Sequence, residues 1–286
     1  MILRSVLLIV LLGIVGVGLG ACGSSGVGAT VSSSDQATIS AGVEATVSTG
    51  GAEEGAACID ALWAYEDNAK TICKEAADLG NTDGMFGLGQ LAEDAGDLEL
   101  AESWYQKSAD LGNPIGMYGL GRLAYDAEDL VLAESWFQKA ADLGDSDGMF
   151  GLGNLADAAG DLELAESWYQ KSADLGNSEA MWGLGNLAYY AEDLVLAESW
   201  YQKAADLGNS DGMTGLGWLA KETGDLVLAE SWFQKAADLG NPEGMYSLGW
   251  LAYEAGDLAL AKSWYQKAAD LGNQFAIWEL EKLDAS

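Results

Sequence analysis

Histidine is absent from the 286 residues of this sequence. Because histidine is the commonest general base and a common metal ligand, its absence removes the usual catalytic triads and most transition-metal sites. The carboxylates are too numerous and too regularly spaced to mark one acid–base pair for glycoside hydrolysis. The sequence therefore predicts a protein that is not an enzyme and that needs no cofactor or metal.

Positive charge is scarce: 13 Lys and Arg residues stand against 45 Asp and Glu residues, which gives a net charge of −32. A chain this acidic is repelled by nucleic acid and by anionic lipid surfaces, and it attracts basic proteins. We therefore predict a protein or peptide partner, with a basic one favoured, and no nucleic-acid partner. The alternative is that most of the carboxylates form a solvated surface with no specific target.

The N-terminal apolar run covers only residues 5–19, which is too short for a comfortable membrane span. Together with the single positive charge of residues 1–4, it has the pattern of a signal peptide. It ends in Leu-Gly-Ala-Cys at residues 19–22, a sequence that resembles the bacterial lipobox. The resemblance implies cleavage before Cys22 and lipidation of that cysteine. The alternative is an ordinary signal peptide followed by an incidental cysteine.

A lipoprotein signal peptide over residues 1–21 predicts the location of the mature chain. We expect it outside the cytoplasm, lipid-anchored to a bacterial membrane on the periplasmic or cell-surface side. Residues 22–55 are rich in Gly, Ser and Ala and lack apolar periodicity, so we interpret them as a flexible tether.

A 32-residue period organises the chain after the tether. Six tryptophans follow one another at this spacing: Trp104, Trp136, Trp168, Trp200, Trp232 and Trp264. The same spacing defines six repeat units: residues 81–112, 113–144, 145–176, 177–208, 209–240 and 241–272. Residues 56–80 and 273–286 match parts of a unit, so we predict a capping helical hairpin at the start and a capping helix at the end.

Each unit has the pattern of two helices, which we call helix A and helix B. In the first unit, apolar residues at spacings of three and four predict helix A over about residues 82–95 and helix B over about residues 98–111. Asp97 stands at the N-cap of helix B, and Gly112 at the left-handed position that follows this helix. Helix A is rich in glycine, which destabilises an isolated helix, so we expect stability to come from close stacking of neighbouring units.

These repeats resemble the tetratricopeptide repeat and its relative, the Sel-one-like repeat. In the first unit the signature positions fall on Leu88, Gly89, Ala101, Tyr105 and Ser108. The Ala-Asp-Leu-Gly-Asn joint and the Trp-Tyr-Gln-Lys-Ala-Ala run are similar to the Sel-one-like type, whereas the turn between helices A and B has tetratricopeptide length, so the subfamily stays open. The resemblance implies an all-α fold: a right-handed α-solenoid of antiparallel helix pairs with a 32-residue period.

Cys58 and Cys73 remain as a pair once Cys22 is lipidated, and pairing is the default outside the cytoplasm. Aligned with the first repeat unit, the two residues lie at similar distances on either side of the turn of the capping hairpin. We therefore predict a disulfide between them. The alternative is two buried free thiols.

Helix A contains four positions that vary between units, equivalent to residues 83, 86, 90 and 93, and their spacing places them on one face. In the tetratricopeptide family this face lines a concave groove for peptides, so the resemblance implies a ligand-binding groove here. Its candidate residues are Tyr118, Arg122, Tyr125, Trp182, Asn186, Tyr189, Trp218, Tyr246, Trp250 and Tyr253.

Two alternatives stay open on this face. Side chains equivalent to residue 86 either contact the ligand or pack between adjacent A helices, and we expect Trp218 and Trp250 to be exposed. Positions that hardly change between units, equivalent to residues 88, 89, 91, 101, 104 and 105, are expected to pack. The sequence thus predicts a membrane-tethered scaffold for protein–protein or peptide binding. The alternative is a cell-wall carbohydrate-binding lipoprotein, because tryptophan rings also stack on sugars.

Overall fold

The computed structural model describes residues 49–64 and 68–284, and all of the regular structure in these residues is α-helical. The signal peptide, the lipobox with Cys22 and most of the predicted tether lie outside the described residues. Within them, no helix is both long enough and apolar enough to cross a membrane. The fold of the described residues is an all-α solenoid of stacked helix pairs, as predicted.

The helices follow the 32-residue period. The A helices are α3 (Thr82–Asp94), α5 (Pro114–Asp126), α7 (Ser146–Ala158), α9 (Ser178–Tyr190), α11 (Ser210–Glu222) and α13 (Pro242–Glu254). The B helices are α4 (Leu98–Asp110), α6 (Leu130–Asp142), α8 (Leu162–Asp174), α10 (Leu194–Asp206), α12 (Leu226–Asp238) and α14 (Leu258–Asp270). The flanking helices are α1 (Thr49–Trp63), α2 (Ala69–Asp78) and α15 (Gln274–Asp284).

The predicted capping residues lie at the starts and ends of the helices, as the sequence indicates. The side chain of Asp97 accepts a hydrogen bond of 3.1 Å from the backbone N–H of Leu100, which satisfies one of the free amides at the start of α4. Gly112 has a φ of +85°, the left-handed conformation that closes a helix. At the A–B turn, the second and fourth units place Glu128 and Glu192 in the left-handed region with φ of 61°, where the other units carry glycine.

Helix α1 begins at Thr49, so the segment predicted as a tether is helical over residues 49–55 and the predicted boundary at residue 55 is wrong. Gly55 shows why the helix extends back this far. It is buried, and a Cβ added there would lie 2.4 Å from the side-chain nitrogen of Asn81. The segment therefore has a packed neighbour, which its glycine-rich sequence does not reveal.

Glycine allows the rings of the first four B helices to sit between two successive A helices. A Cβ added to Gly89 would lie 2.4 Å from the Tyr105 ring, and one added to Gly119, in the next A helix, would lie 2.9 Å from the same ring. Tyr105 is fully buried between them. The close stacking expected from the glycines is confirmed.

Successive A helices contact each other all along the repeats, whereas no comparable contact joins successive B helices within the described residues. The A helices therefore line the narrower, inner side of the solenoid. The tryptophans at the 104 position are partly buried: Trp104, for example, packs against the core of the preceding hairpin.

Cys58 and Cys73 form the predicted disulfide, and both are fully buried. Cys73 aligns with Tyr105, and the bridge occupies the place that the aromatic ring takes in the repeats. A Cβ added to Gly87 would lie 2.5 Å from the Sγ atom of Cys58, just as one added to Gly119 would meet the Tyr105 ring. The disulfide thus replaces the ring in the core of the first hairpin.

Candidate binding groove

The inner face is the surface formed by the four variable positions of the A helices, equivalent to residues 83, 86, 90 and 93. Each of these positions forms a row that runs from unit to unit along the inner side. The four rows differ in chemistry, and their contacts decide which side chains are available to a partner.

The row equivalent to residue 83 is a ladder of carboxylates held by asparagines. The amide nitrogen of Asn113 donates to Asp83 at 3.0 Å, and that of Asn241 donates to Asp211 at 2.7 Å. The carbonyl oxygen of each asparagine accepts at the same time from the first turn of its own A helix. One asparagine therefore caps a helix and fixes the carboxylate of the preceding unit.

The ladder is interrupted once, between the second and third units. Ile115 replaces the carboxylate and Asp145 replaces the asparagine. Asp145 still caps α7, through a hydrogen bond of 2.7 Å from the N–H of Gly148. Since Asp145 has no amide hydrogen to donate and Ile115 has no oxygen to accept, the two changes remove both ends of one contact.

Several of these carboxyls hold their protons more tightly than usual. Burial raises the pKa of Asp147, and the charge of Asp145 raises it further, while the hydrogen bond from Asn177 lowers it. Burial also raises the pKa of Glu243, with a further rise caused by the charge of Asp211 in the preceding unit. The ladder is thus a partly desolvated line of negative charge, which a cation on a partner would stabilise.

The row equivalent to residue 86 consists mostly of rings that pack on the core. Phe86 lies 5.4 Å from Tyr105 between ring centroids, and Tyr246 lies 5.6 Å from Tyr265. Tyr118 lies 5.8 Å from the ring of its own unit's B helix and is only partly exposed. These rings pack within the solenoid and are partly exposed on the inner surface.

In the row equivalent to residue 90, the contact that each side chain makes depends on the B-helix ring beneath it. Where that ring is tyrosine, its hydroxyl can donate to an asparagine: Tyr201 donates to Asn186 at 2.7 Å. In the fifth unit the ring is Phe233, which has no hydroxyl, and Trp218 packs edge-on against it at 5.4 Å. Trp218 is therefore half-buried, and the prediction of an exposed side chain is wrong because its edge covers the core.

Arg122 is held in a charged cluster with residues of the first unit. Its Nη2 donates to both carboxylate oxygens of Glu93, at 2.6 and 2.5 Å, and the hydroxyl of Tyr105 donates to the same carboxylate at 2.6 Å. Arg122 also borders a small cavity of about 60 Å³ together with Tyr118 and Tyr125. Burial, together with the charge of Asp147, raises the pKa of Tyr118 to about 12, so this hydroxyl stays neutral. Because Arg122 is already paired, it is a weak candidate for binding an acidic group.

An open pocket of about 500 Å³ lies on the inner face across the fourth to sixth units. Four of the predicted residues line it: Trp182, Asn186, Tyr189 and Trp218. It is also lined by Tyr190, Tyr201, Asp211, Thr214, Gly215 and Glu243. The pocket joins aromatic faces to two carboxylates and contains no basic side chain among its lining residues.

Three further predicted residues lie on the inner face outside this pocket. Trp250 is partly buried and packs against Trp218 with a centroid distance of 6.5 Å. Tyr253 is 37% exposed. Tyr246 contacts Phe275 of the capping helix at 6.0 Å.

Three residues that shape the pocket region were not among the predicted groove residues. Thr214 stands where every other unit carries a ring, and this small side chain leaves the space that the pocket occupies. Tyr190 is 78% exposed at the pocket wall, and Lys221 lies over Trp218. A signal existed for Thr214, because it is the one break in the aromatic row. A signal existed for Tyr190 as well, because it is the one aromatic residue at its position among the six units, but its row was not among the four compared.

The described residues contain no group of His, Cys, Asp or Glu side chains that could hold a metal ion. What the inner face offers is aromatic surface, amides and carboxylates. These groups recognise a ligand by stacking, hydrogen bonds and charge.

Comparisons with known proteins identify the repeats. The family model described as Sel1 repeat matches more than half of the chain, at residues 114–145, 146–177, 178–209, 211–241 and 242–273. A tetratricopeptide repeat model matches residues 74–114. A search among curated protein sequences found no significant match.

Solved structures with a similar fold include a Sel1 repeat protein from Oxalobacter formigenes. It is 26% identical with a TM-score of 0.60, and the match covers 77% of this chain and 99% of that one. The antigen c5321 of uropathogenic Escherichia coli, described as displaying an SLR fold, is 26% identical with a TM-score of 0.53. That match covers 74% of this chain and 50% of c5321, so this chain spans half the length of that relative.

Proposed function

This chain belongs to the Sel1 repeat family, and we propose that it is a membrane-tethered scaffold outside the cytoplasm that holds an extended segment of a partner protein against its inner face. Repeat scaffolds of this kind typically mediate protein–protein interactions. The single observation that carries the proposal is the aromatic and acidic pocket of about 500 Å³ on the A helices. Pockets that combine aromatic surface with a few fixed polar groups are the usual sites of recognition.

The composition of the pocket favours a peptide that carries positive charge. Asp211 and Glu243 lie among its lining residues. The whole chain has a net charge of −32, which draws basic partners toward the surface. Tyr190 adds an aromatic side chain that is 78% exposed and free of the core, a type of residue that often dominates binding energy.

A cell-wall glycan is the second candidate, because Trp182, Tyr189 and Tyr190 would also offer faces on which sugar rings stack. This candidate predicts binding that depends on the rings and is insensitive to the carboxylates. The charged ladder beside the pocket supports the peptide over the glycan.

The test is capture of partners from a cell-envelope extract by the immobilised full chain and by the variant Tyr190→Ala. Alanine is the residue that the third unit carries at this position. Because Tyr190 is largely exposed, its loss should change the free energy of unfolding by no more than about 0.5 kcal/mol. Partner binding should weaken by at least about 2 kcal/mol, the level of an interface hot spot.

Val227→Ala is the matched control, since Val227 is 80% exposed but lies on helix α12, away from the pocket. It should leave both stability and capture unchanged. Recovery of glycan fragments with no enriched protein would instead favour the carbohydrate candidate. Equal capture by wild type and Tyr190→Ala would contradict the pocket as the binding site.

The proposed anchor is tested separately at Cys22. Cys22→Ala removes the thiol to which the lipid would be attached, so the protein should move from the membrane to the soluble fraction. Cell fractionation and mass spectrometry of the N-terminal residue measure this. Unchanged membrane association, with an unmodified Cys22 in the wild type, would mean that the apolar segment itself is the anchor.

A further inference from the structure

Lys221 makes a contact on the inner face that no other unit repeats. Its Nζ atom lies 4.3 Å from the ring centroid of Trp218 and 3.9 Å from that of Trp250, which belongs to the next unit. Within residues 49–64 and 68–284, no carboxylate lies at salt-bridge distance from this ammonium. The ammonium contacts two indole rings, and the faces of such rings attract cations.

The lysines of the B helices show what is unusual about this contact. Lys235 lies 3.6 Å from the ring of Trp232, three residues earlier on the same helix, and the other repeat units have the same pair. Each of those lysines covers one ring of its own helix. Lys221 also has a tryptophan three residues before it, but in addition it bridges to a ring of the following unit.

Lys221 is also unexpected in its row. The equivalent residues are Glu93, Tyr125, Asp157, Tyr189 and Tyr253, so the fifth unit alone carries a cation here. Trp218 forms a wall of the open pocket, whose lining includes Asp211 and Glu243. A lysine ammonium thus lies against a ring of a pocket that otherwise offers aromatic faces and negative charge.

We infer that Lys221 is an internal competitor for the partner's positive charge: it lies on the adjacent rings of Trp218 and Trp250, here called the ring pair, and is displaced by a lysine or arginine side chain of the bound segment. This inference rests on the proposed function and adds to it the chemistry of the ligand and a built-in limit on affinity. A partner cation that binds the ring pair replaces one ammonium by another on the same rings. Without Lys221, the ring pair would be uncovered and the surrounding potential more negative.

The experiment titrates the full chain with a fluorescently labelled synthetic peptide of alternating lysine and serine, and compares the variants Lys221→Gln and Lys235→Gln. Both variants remove one positive charge, but Lys221→Gln frees the two inner-face rings of Trp218 and Trp250, whereas Lys235→Gln frees only the ring of Trp232 on its own B helix. We expect Lys221→Gln to bind the peptide about five- to tenfold more tightly than wild type, which corresponds to the loss of one cation–π competitor. Lys235→Gln should stay within about twofold of wild type, as a distant surface charge allows.

Two further measurements distinguish binding at the ring pair from general electrostatic attraction. Lys221→Arg keeps a cation on the rings and should bind like wild type, while a peptide with acetylated lysines should gain nothing from Lys221→Gln. Melting temperatures of all variants check that each one is folded.

If the peptide binds and the two glutamine variants have the same affinity, Lys221 is not a competitor, while the proposed function stands on the capture experiment. If Lys221→Gln binds more weakly than wild type, the ammonium supports the site instead of blocking it, and the inference is overturned. If no form of the chain binds the lysine peptide, the ring pair is not a cation site. The proposed function is tested separately: it is overturned if wild type and Tyr190→Ala capture partners equally.

Discussion

At the scale of single residues, the sixth unit differs from the others at Ser247, and this difference lowers its stability. The other five units carry glycine at this position, where it packs against the core of the preceding helix pair. Ser247 is fully buried, and its hydroxyl has no hydrogen-bond partner. A buried hydroxyl without a partner costs about 1–3 kcal/mol.

Ser247→Ala should therefore raise the free energy of unfolding by about 1 kcal/mol or more, because it removes the hydroxyl, keeps the Cβ and improves helix propensity. Urea denaturation of the two proteins measures the difference. The control is Ser108→Ala, since the hydroxyl of Ser108 is also buried but donates to the carbonyl oxygen of Thr82 at 2.9 Å. That variant should lose about 1 kcal/mol, and the same sign of change in both would contradict the argument.

At the scale of elements, the first helix pair is held by a bridge where the other pairs are held by a ring. Cys58 and Cys73 lie in the core that α1, α2 and α3 share. In the first four repeat units a buried tyrosine or phenylalanine fills this place and contacts glycines on both sides. Among the described residues, this first pair has a neighbouring helix pair on one side only, so a covalent link there compensates for the missing stacking partner.

Replacement of both Cys58 and Cys73 by alanine should destabilise this hairpin by about 3 kcal/mol, the chain-entropy value for a loop of this length. Because repeats stabilise mainly their neighbours, the effect should decline along the chain. Hydrogen exchange should speed up in α1 and α2 and stay unchanged in α13 and α14. A uniform increase over the whole solenoid would instead show that the array unfolds as one unit.

At the scale of the whole molecule, the line of carboxylates along the inner face couples stability to pH. Burial, followed by the charge of a neighbouring carboxylate, raises the pKa of Asp147, and burial raises the pKa of Asp145 and Glu243. A carboxyl whose pKa is raised on folding binds its proton more tightly in the folded state. Stability is then gained as the pH falls through the raised values and is lost as the pH rises through them.

The melting temperature should therefore rise when the pH is lowered from about 7 to about 5, toward the ordinary pKa values of Asp and Glu. Differential scanning calorimetry at a series of pH values checks this. The variant Glu243→Gln removes one of the raised groups and should show a smaller rise than wild type. A melting temperature that falls steadily over this interval would mean that the raised carboxyls do not govern the pH dependence.

The helices, their caps, the glycine contacts and the disulfide were predictable because each depends on residues close in sequence or on the same contact repeated in every unit. Asp97 caps a helix that begins at the next residue, and Cys58 aligns with a position that the repeats define six times. The start of α1 could not be predicted, since its last glycine packs against Asn81 and nothing in residues 49–55 themselves signals that neighbour.

By itself, the sequence determined the solenoid, its period and the face on which variation is concentrated. Only the tertiary structure decided which side chains of that face are available: the rings in line with Phe86 pack on the core, Trp218 covers Phe233, and Thr214 leaves a pocket open. These outcomes depend on contacts between residues that lie about half a unit to a full unit apart, such as Lys221 with Trp250. A pattern places a residue on a helix face, but the size and chemistry of the side chains packed against it decide whether that residue is covered or free.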